Sequence, residues 1–245
     1  MKQYGLIGYP LSHSFSKRFF SEKFEKEGLL DCSYELFPIP SIDQLSDLLK
    51  SVPDLKGLNV TIPYKEAVLG FLDVPSATVL ETGACNCIRI EEGTLYGYNT
   101  DVIGFEQSLQ PLLQPHHKSA LILGTGGAAK AVAWVFKKRK IPFQYVSRTR
   151  SANTIAYEDL NKEGFQQYQI VVNTTPLGMQ PFTEDKPSIP YQWVDASYLF
   201  YDLIYNPAET LFLKEALQRG AIAKNGLEML EIQALESWKC WNQAL

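Results

Sequence analysis

Four apolar residues in a row, Ala120-Leu121-Ile122-Leu123, run straight into Gly124-Thr125-Gly126-Gly127-Ala128-Ala129 and then into a helix-like stretch through Lys130, Ala131, Val132, Trp134 and Val135. An unbroken apolar run of this kind belongs to a strand covered on both faces, as in a parallel sheet under helices. The small residues behind it permit a tight turn, let backbone amides approach an anion and let the helix pack on the strand, while the helix N-terminus contributes partial positive charge. Gly124, Gly126 and Ala129 fit the spacing G-x-G-x-x-A, with Thr125, Gly127 and Ala128 completing the loop. By itself the spacing also suits a strand-to-helix turn with no ligand. The flanking strand and helix favour a dinucleotide loop opening a doubly wound α/β domain.

The rest of the chain supplies the alternation that such a fold needs. Downstream, strands are predicted over 143–146, 170–173 and 199–203; upstream, over 4–8, 34–37 and 57–62, with helices over 17–27, 41–50 and 64–72. A hairpin is expected from 85–90 and 94–98 around Glu91-Glu92-Gly93, followed by a helix over 102–113 that ends among prolines. At 245 residues the chain suits two α/β domains separated by a cleft, an amino-terminal substrate domain and a Rossmann-type parallel sheet. The last helix, beginning near Gly226, carries Leu227, Met229, Leu230, Ile232, Leu235 and Trp238, enough apolar surface to pack outside the domain just before it. The expected division is therefore 1–102 plus 225–245 for substrate and 103–224 for the dinucleotide.

Charge and composition exclude other classes. A net charge of −4 leaves no concentrated basic surface for nucleic acid. The basic run Lys137-Lys138-Arg139-Lys140 fits the last turn of a helix, where cations oppose the dipole. No apolar run approaches the roughly 18 residues that a membrane span needs. The amino terminus enters a strand without the apolar stretch of a secretion signal, and the four cysteines are scattered, so a reducing cytoplasm is expected. Cys85 and Cys87 with three histidines make too few ligands for a metal site, and none is expected.

Three segments carry chemistry. The strand after the glycine loop ends in Ser147-Arg148-Thr149-Arg150, where an NAD site would place an acidic residue on the ribose hydroxyls; a guanidinium suits the 2′-phosphate of NADP instead, although two arginines also suit a solvated loop. Ser12-His13-Ser14-Phe15-Ser16 sets three hydroxyls at alternate positions before a helix, suited to an anion, although a plain N-cap would account for Ser16. Asn59-Val60-Thr61-Ile62-Pro63-Tyr64-Lys65 ends a strand in polar groups and puts a lysine in the expected first helical turn, an electrostatically unfavourable place for a cation, although a solvated lysine beside Glu66 would account for it by itself.

Taken in order, these motifs resemble the shikimate dehydrogenase family. The resemblance covers Gly8 to Ser16, Asn59 to Lys65, Gly83-Ala84-Cys85-Asn86, Asn99-Thr100-Asp101, the Gly124 loop, Ser147-Arg148-Thr149 where Asn-Arg-Thr is usual, and Asn173 to Met179. Tyr201-Asp202-Leu203-Ile204-Tyr205 and Asn225 to Gln233 complete it. It implies NADPH-dependent reduction of 3-dehydroshikimate to shikimate, on the route to chorismate and the aromatic amino acids, by a monomer or homodimer. Lys65 and Asp101 would be the catalytic pair, lying close together at the reacting carbonyl. Ser14, Ser16, Thr61 and Tyr205 would hold the substrate carboxylate, and Asn59, Asn86, Asp101 and Gln233 the ring hydroxyls. Gly124, Thr125, Gly126, Gly127, Ala128, Ser147, Arg148, Thr149, Asn173, Thr174, Thr175 and Gly226 would hold the cofactor. Cys87, Val102 and Glu228 depart from the usual threonine, glycine and glycine. A dual quinate/shikimate dehydrogenase would use nearly the same residues, and a non-catalytic NADP-binding regulatory module would keep the fold without turnover.

Overall fold

In a computed structural model, residues 1–11 and 15–242 are described. Ser12, His13 and Ser14, the heart of the expected anion loop, lie outside the described residues. The chain divides into two compact units, Met1–Thr100 with Ala234–Leu245, and Asp101–Gln233. The boundary between Gln233 and Ala234 lies inside the last helix.

The first unit contains β1 (Lys2–Gly8), α1 (Phe15–Lys26), β2 (Cys32–Pro38), α2 (Leu45–Ser51), β3 (Leu55–Val60), β4 (Val74–Pro75), α3 (Ala77–Thr82), β5 (Cys87–Glu91) and β6 (Thr94–Tyr98). The sheet order is β2-β1-β3-β5-β6-β4. β1 is parallel to both of its neighbours, whereas β5 is antiparallel to β3 and β6. Glu92 and Gly93 both take positive φ, 49° and 81°, between the paired residues Glu91 and Thr94, so a two-residue turn of the primed kind closes the hairpin.

Period-two alternation sends strand residues to opposite faces of this sheet. Ile7, Leu58, Val60 and Ile88 pack with Leu45, Tyr64, Val68 and Val79 on one side. Tyr4, Leu6, Tyr34 and Cys87 meet Phe20 and Phe24 of α1 together with Ala234, Cys240 and Trp241 on the other. Gly57 permits this second packing, since a Cβ there would sit 2.3 Å from Trp241 Cδ1.

The second unit runs α4 (Asp101–Leu109), β7 (Ala120–Leu123), α5 (Gly127–Lys138), β8 (Phe143–Ser147), β9 (Thr154–Ala156), α6 (Lys162–Phe165), β10 (Ile170–Asn173), β11 (Leu199–Asp202), α7 (Leu211–Leu217), β12 (Ile222–Lys224) and α8 (Leu227–Asn242), whose last turns belong to the first unit. All six strands are parallel, in the order β12-β11-β10-β7-β8-β9, the doubly wound arrangement whose connections reverse direction between β7 and β10. Ala120 and Ile122 face one core with α5, and Leu121 and Leu123 face the other with α7.

Two expectations fail locally. The helix predicted over 64–72 is a short 3₁₀ turn, Ala67–Phe71, so Lys65 precedes it and sits in no helical first turn. Tyr64 is tethered by its hydroxyl to Ile39 O at 2.6 Å, and Gly70 weakens helix continuation. Ser16 is likewise no N-cap, because α1 already begins at Phe15.

Candidate active site

In the first unit, antiparallel pairing sets the start of β5 beside the end of β3, Cys87 opposite Asn59, and brings the end of β6 to the same sheet edge. Polar side chains collect there. The Tyr34 hydroxyl donates to Asn59 Oδ1 at 2.8 Å; Asn59 Nδ2 donates to Ser237 Oγ at 2.9 Å and to Asn86 O at 3.3 Å. Asn86 Oδ1 accepts from Thr100 N at 2.7 Å, and the Ser237 and Thr100 hydroxyls lie 3.2 Å apart. Ser16 joins through a hydrogen bond to the Tyr34 hydroxyl. Burial pushes the Tyr34 phenol well above its ordinary range, which keeps it a neutral donor to Asn59.

Every member of this network is buried, so each unmade bond would cost about 1–3 kcal/mol. Three of the predicted residues, Ser16, Asn59 and Asn86, are thereby brought together. Tyr34, Thr100 and Ser237 hold them; Thr100 lies in the Asn99-Thr100-Asp101 motif with no role assigned, and Tyr34 and Ser237 were not singled out from sequence, since a tyrosine on a strand and a serine on a helix give no local signal of a shared network. The Cys87 thiol, pushed up by burial, hydrogen-bonds to Cys240 and Ser237.

Thr61 follows β3, its N–H donating to Ile7 O at 2.9 Å, and its methyl would clash at 2.4 Å with any Cβ on Gly8. Lys65 is half-buried in the next turn, and its carbonyl accepts from Cys85 N at 2.7 Å. Asp101, Tyr205 and Gln233 belong to the second unit. Asp101 is the buried first residue of α4, directly after Thr100. Tyr205 is half-buried beyond β11, and Gln233 is buried on α8, its side-chain amide donating to Leu230 O at 2.9 Å.

The cofactor candidates other than Gly226 gather at the carboxyl ends of β7, β8 and β10. Leu123 pairs with Val146 and Asn173, so the segments after them emerge side by side. Gly124 takes φ +106°, a conformation strained for any side chain, and a Cβ there would meet Thr174 Oγ1 at 2.7 Å. Thr125 is exposed, and Gly127 and Ala128 open α5. Gly126 is different: it caps α5 without a side-chain hydrogen bond, and a Cβ on it would meet nothing within 4 Å. No protein atom requires a glycine there. A helix N-terminus with bare amides and open space in front fits a pyrophosphate.

The Ser147 hydroxyl donates to Thr149 O at 3.0 Å and accepts from Thr149 N at 3.3 Å, a turn that leaves Arg148 exposed. Arg150 is bound by Asp159 through two hydrogen bonds, and its guanidinium holds that carboxyl below its usual range. Among the described residues Arg148 has no ion-pair partner, so of the two arginines it is the one available to a 2′-phosphate. None of the four residues that close β8, Ser147 to Arg150, is acidic.

Asn173 is fully buried and its amide is engaged within its own loop and by Asp202. Thr174 donates its hydroxyl to Leu123 O at 2.6 Å, and the Thr175 hydroxyl donates to Asn173 Oδ1 at 2.7 Å. Gly226 donates its N–H to Ile204 O at 3.0 Å, and a Cβ there would lie 2.1 Å from Leu203 O. These residues shape the loop walls. Among the described residues no cluster of His, Cys, Asp and Glu could hold a metal, and no helix is long and apolar enough to cross a membrane.

Comparison with known proteins matches the chain over nearly its whole length. The profile of the shikimate dehydrogenase substrate binding domain matches residues 6–88, which include the Asn59–Asn86 network and Lys65. The NADP(+) shikimate dehydrogenase of Carboxydothermus hydrogenoformans is 36% identical over 97% of this chain and 90% of its own. That of Methanothermobacter thermautotrophicus is 34% identical over 97% and 89%. The crystal structure of shikimate 5-dehydrogenase from Thermus thermophilus, in complex with NADP(H) and shikimate, has a TM-score of 0.88 at 31% identity, covering 100% of this chain and 95% of that one. With both units matched in sequence and in fold, the chain belongs to the shikimate dehydrogenase family.

Proposed function

We infer that the protein is an NADP-dependent oxidoreductase that interconverts 3-dehydroshikimate and shikimate. The observation that carries the reading is the pairing, on one parallel sheet, of an open helix N-terminus at Gly126 with an exposed Arg148, which has no ion-pair partner among the described residues, just beyond the end of the adjacent strand. Such an edge favours a dinucleotide bearing a 2′-phosphate. NADPH, when bound there, supplies the hydride that turns the ring ketone into an alcohol. The reduced oxygen then needs a proton.

Lys65 is the proposed donor, its ammonium stabilising charge on that oxygen before giving up a proton. Asp101 is the proposed second catalytic group, accepting a hydrogen bond from a ring hydroxyl so that the ketone is presented to the lysine. Ser14, Ser16, Thr61 and Tyr205 donate hydroxyls to the substrate carboxylate, and Asn59, Asn86 and Gln233 take the remaining ring hydroxyls. Gly124 to Ala128 hold the pyrophosphate, Ser147 to Thr149 the 2′-phosphate, and Asn173 to Thr175 with Gly226 shape the rest of the pocket. The free thiols of Cys32, Cys85, Cys87 and Cys240 suit work in a reducing cytoplasm.

The test is nicotinamide absorbance on adding shikimate or quinate with NADP or NAD. Fast turnover is expected with shikimate and NADP; turnover with quinate alone, or cofactor binding with no product, would refute it. Replacing Lys65 by Ala or Met should lower kcat by roughly 10²-fold or more, with substrate affinity changed much less. A variant with near-normal kcat and weakened affinity would make Lys65 a binding residue.

A further inference from the structure

Asp202, the last residue of β11, is completely buried, and among the described residues no cation pairs with it. A carboxylate in such a place is retained only where its acceptors are filled. Oδ1 accepts from Asn173 Nδ2 at 3.0 Å and from Ile204 N at 3.1 Å, and Oδ2 accepts from the Thr210 hydroxyl at 2.6 Å. Each donor begins a different segment. Asn173 opens the loop through Gly178, Ile204 leads into Tyr205, and Thr210 is the N-cap of α7.

The contact with Asn173 decides which way that amide faces. With Nδ2 directed to Asp202 and to Leu177 O, its Oδ1 is left to accept from both the backbone N–H and the hydroxyl of Thr175. Thr210 meets the same loop from the far side: Gly178 has φ +105°, and a Cβ there would lie 3.1 Å from Thr210 Cβ. Loss of the carboxylate would leave buried donors on all three segments unsatisfied at once.

We propose that Asp202 is a positioning residue of the cofactor site: it locks the loop from Asn173 to Gly178, together with the stretch leading to Tyr205, in the shape that receives the nicotinamide dinucleotide. The proposal rests on the NADP reading of this edge. Asp202 touches no substrate and acts through Asn173, Ile204 and Thr210. Its three bonds do not require charge, because an amide can accept two of them at oxygen and donate the third to Thr210 Oγ.

The test is titration of the folded protein with NADPH, followed by nicotinamide fluorescence, alongside steady-state kinetics. Asp202→Ala should raise the dissociation constant about tenfold or more, with KM for NADPH rising by more than kcat falls, whereas Asp202→Asn should stay within about threefold of the parent. Thr210→Val removes the donor to Oδ2, together with the N-cap acceptor for Leu213 N, and should raise the dissociation constant severalfold; it decides the matter if Asp202→Ala does not fold. Unchanged NADPH binding in folded Asp202→Ala, or in Thr210→Val where Asp202→Ala does not fold, would overturn the proposal. A defect in Asp202→Asn as large as that in Asp202→Ala would do the same. Absence of NADPH binding by the parent protein would instead refute the cofactor reading, and this inference with it.

Discussion

Single residues here act through what they leave open as much as through what they touch. Arg148 is kept at the surface by a turn built from Ser147 and Thr149, while Arg150, two positions on, is consumed by Asp159. Arg148→Asp should therefore raise KM for NADPH by roughly tenfold or more, the scale of losing a charge-assisted hydrogen bond, and leave NADH almost unaffected. Equal responses of the two cofactors would remove Arg148 from the 2′-phosphate. Asp202 carries a pH signature. Burial pushes its carboxyl up to about 6, against the pull of its bonds from Thr210, Ile204 and Asn173. A folded-state value above the unfolded one means that the native state binds the proton more readily. Stability from this group is thus complete below about pH 4 and declines as pH rises through about 6. Melting temperatures of the parent and Asp202→Asn across that window should diverge, the parent falling behind as pH rises; parallel curves would show that the group does not titrate there.

At the scale of elements, the sequence was most legible where local patterning and tertiary demand coincide. The run of 120–123, buried on both faces, and the amphipathic α5 required no knowledge of their neighbours. Lys65 shows the opposite case: its segment has helical composition, yet Tyr64 is tied to Ile39 from a distant part of the chain and only a 3₁₀ turn forms. The end of α8 is decided by a similar long-range bond, Trp241 Nε1 to Ile88 O at 3.0 Å, with the indole seated over Gly57. Trp241→Ala should cost about 3–5 kcal/mol in urea unfolding of the first unit, and Gly57→Ala about 1–3 kcal/mol by overpacking. Values near zero for both would show that α8 does not hold this sheet.

For the whole molecule, the consequential fact is that one helix serves two units, with Gln233 in the second and Ala234 onward in the first. Gln233→Ala is expected to weaken shikimate binding about tenfold, as for a lost hydrogen bond to a buried polar group, and to leave NADPH affinity in the binary complex nearly unchanged. A loss confined to NADPH, seen by fluorescence titration, would move Gln233 to the cofactor side. What the sequence by itself determined was the parallel sheet, its glycine loop and the cation at the next strand tip, because each depends on residues within one strand–turn–helix unit. Only the tertiary structure decided which polar residues cooperate. Ser16, Tyr34, Asn59, Asn86, Thr100 and Ser237 are scattered over most of the chain and meet because sheet register and the returning helix bring them together, the last five with hydrogen-bonding atoms 2.7–3.3 Å apart. Buried polar groups must find partners, and that requirement is met by whatever the fold places nearby, which no local pattern of residues encodes.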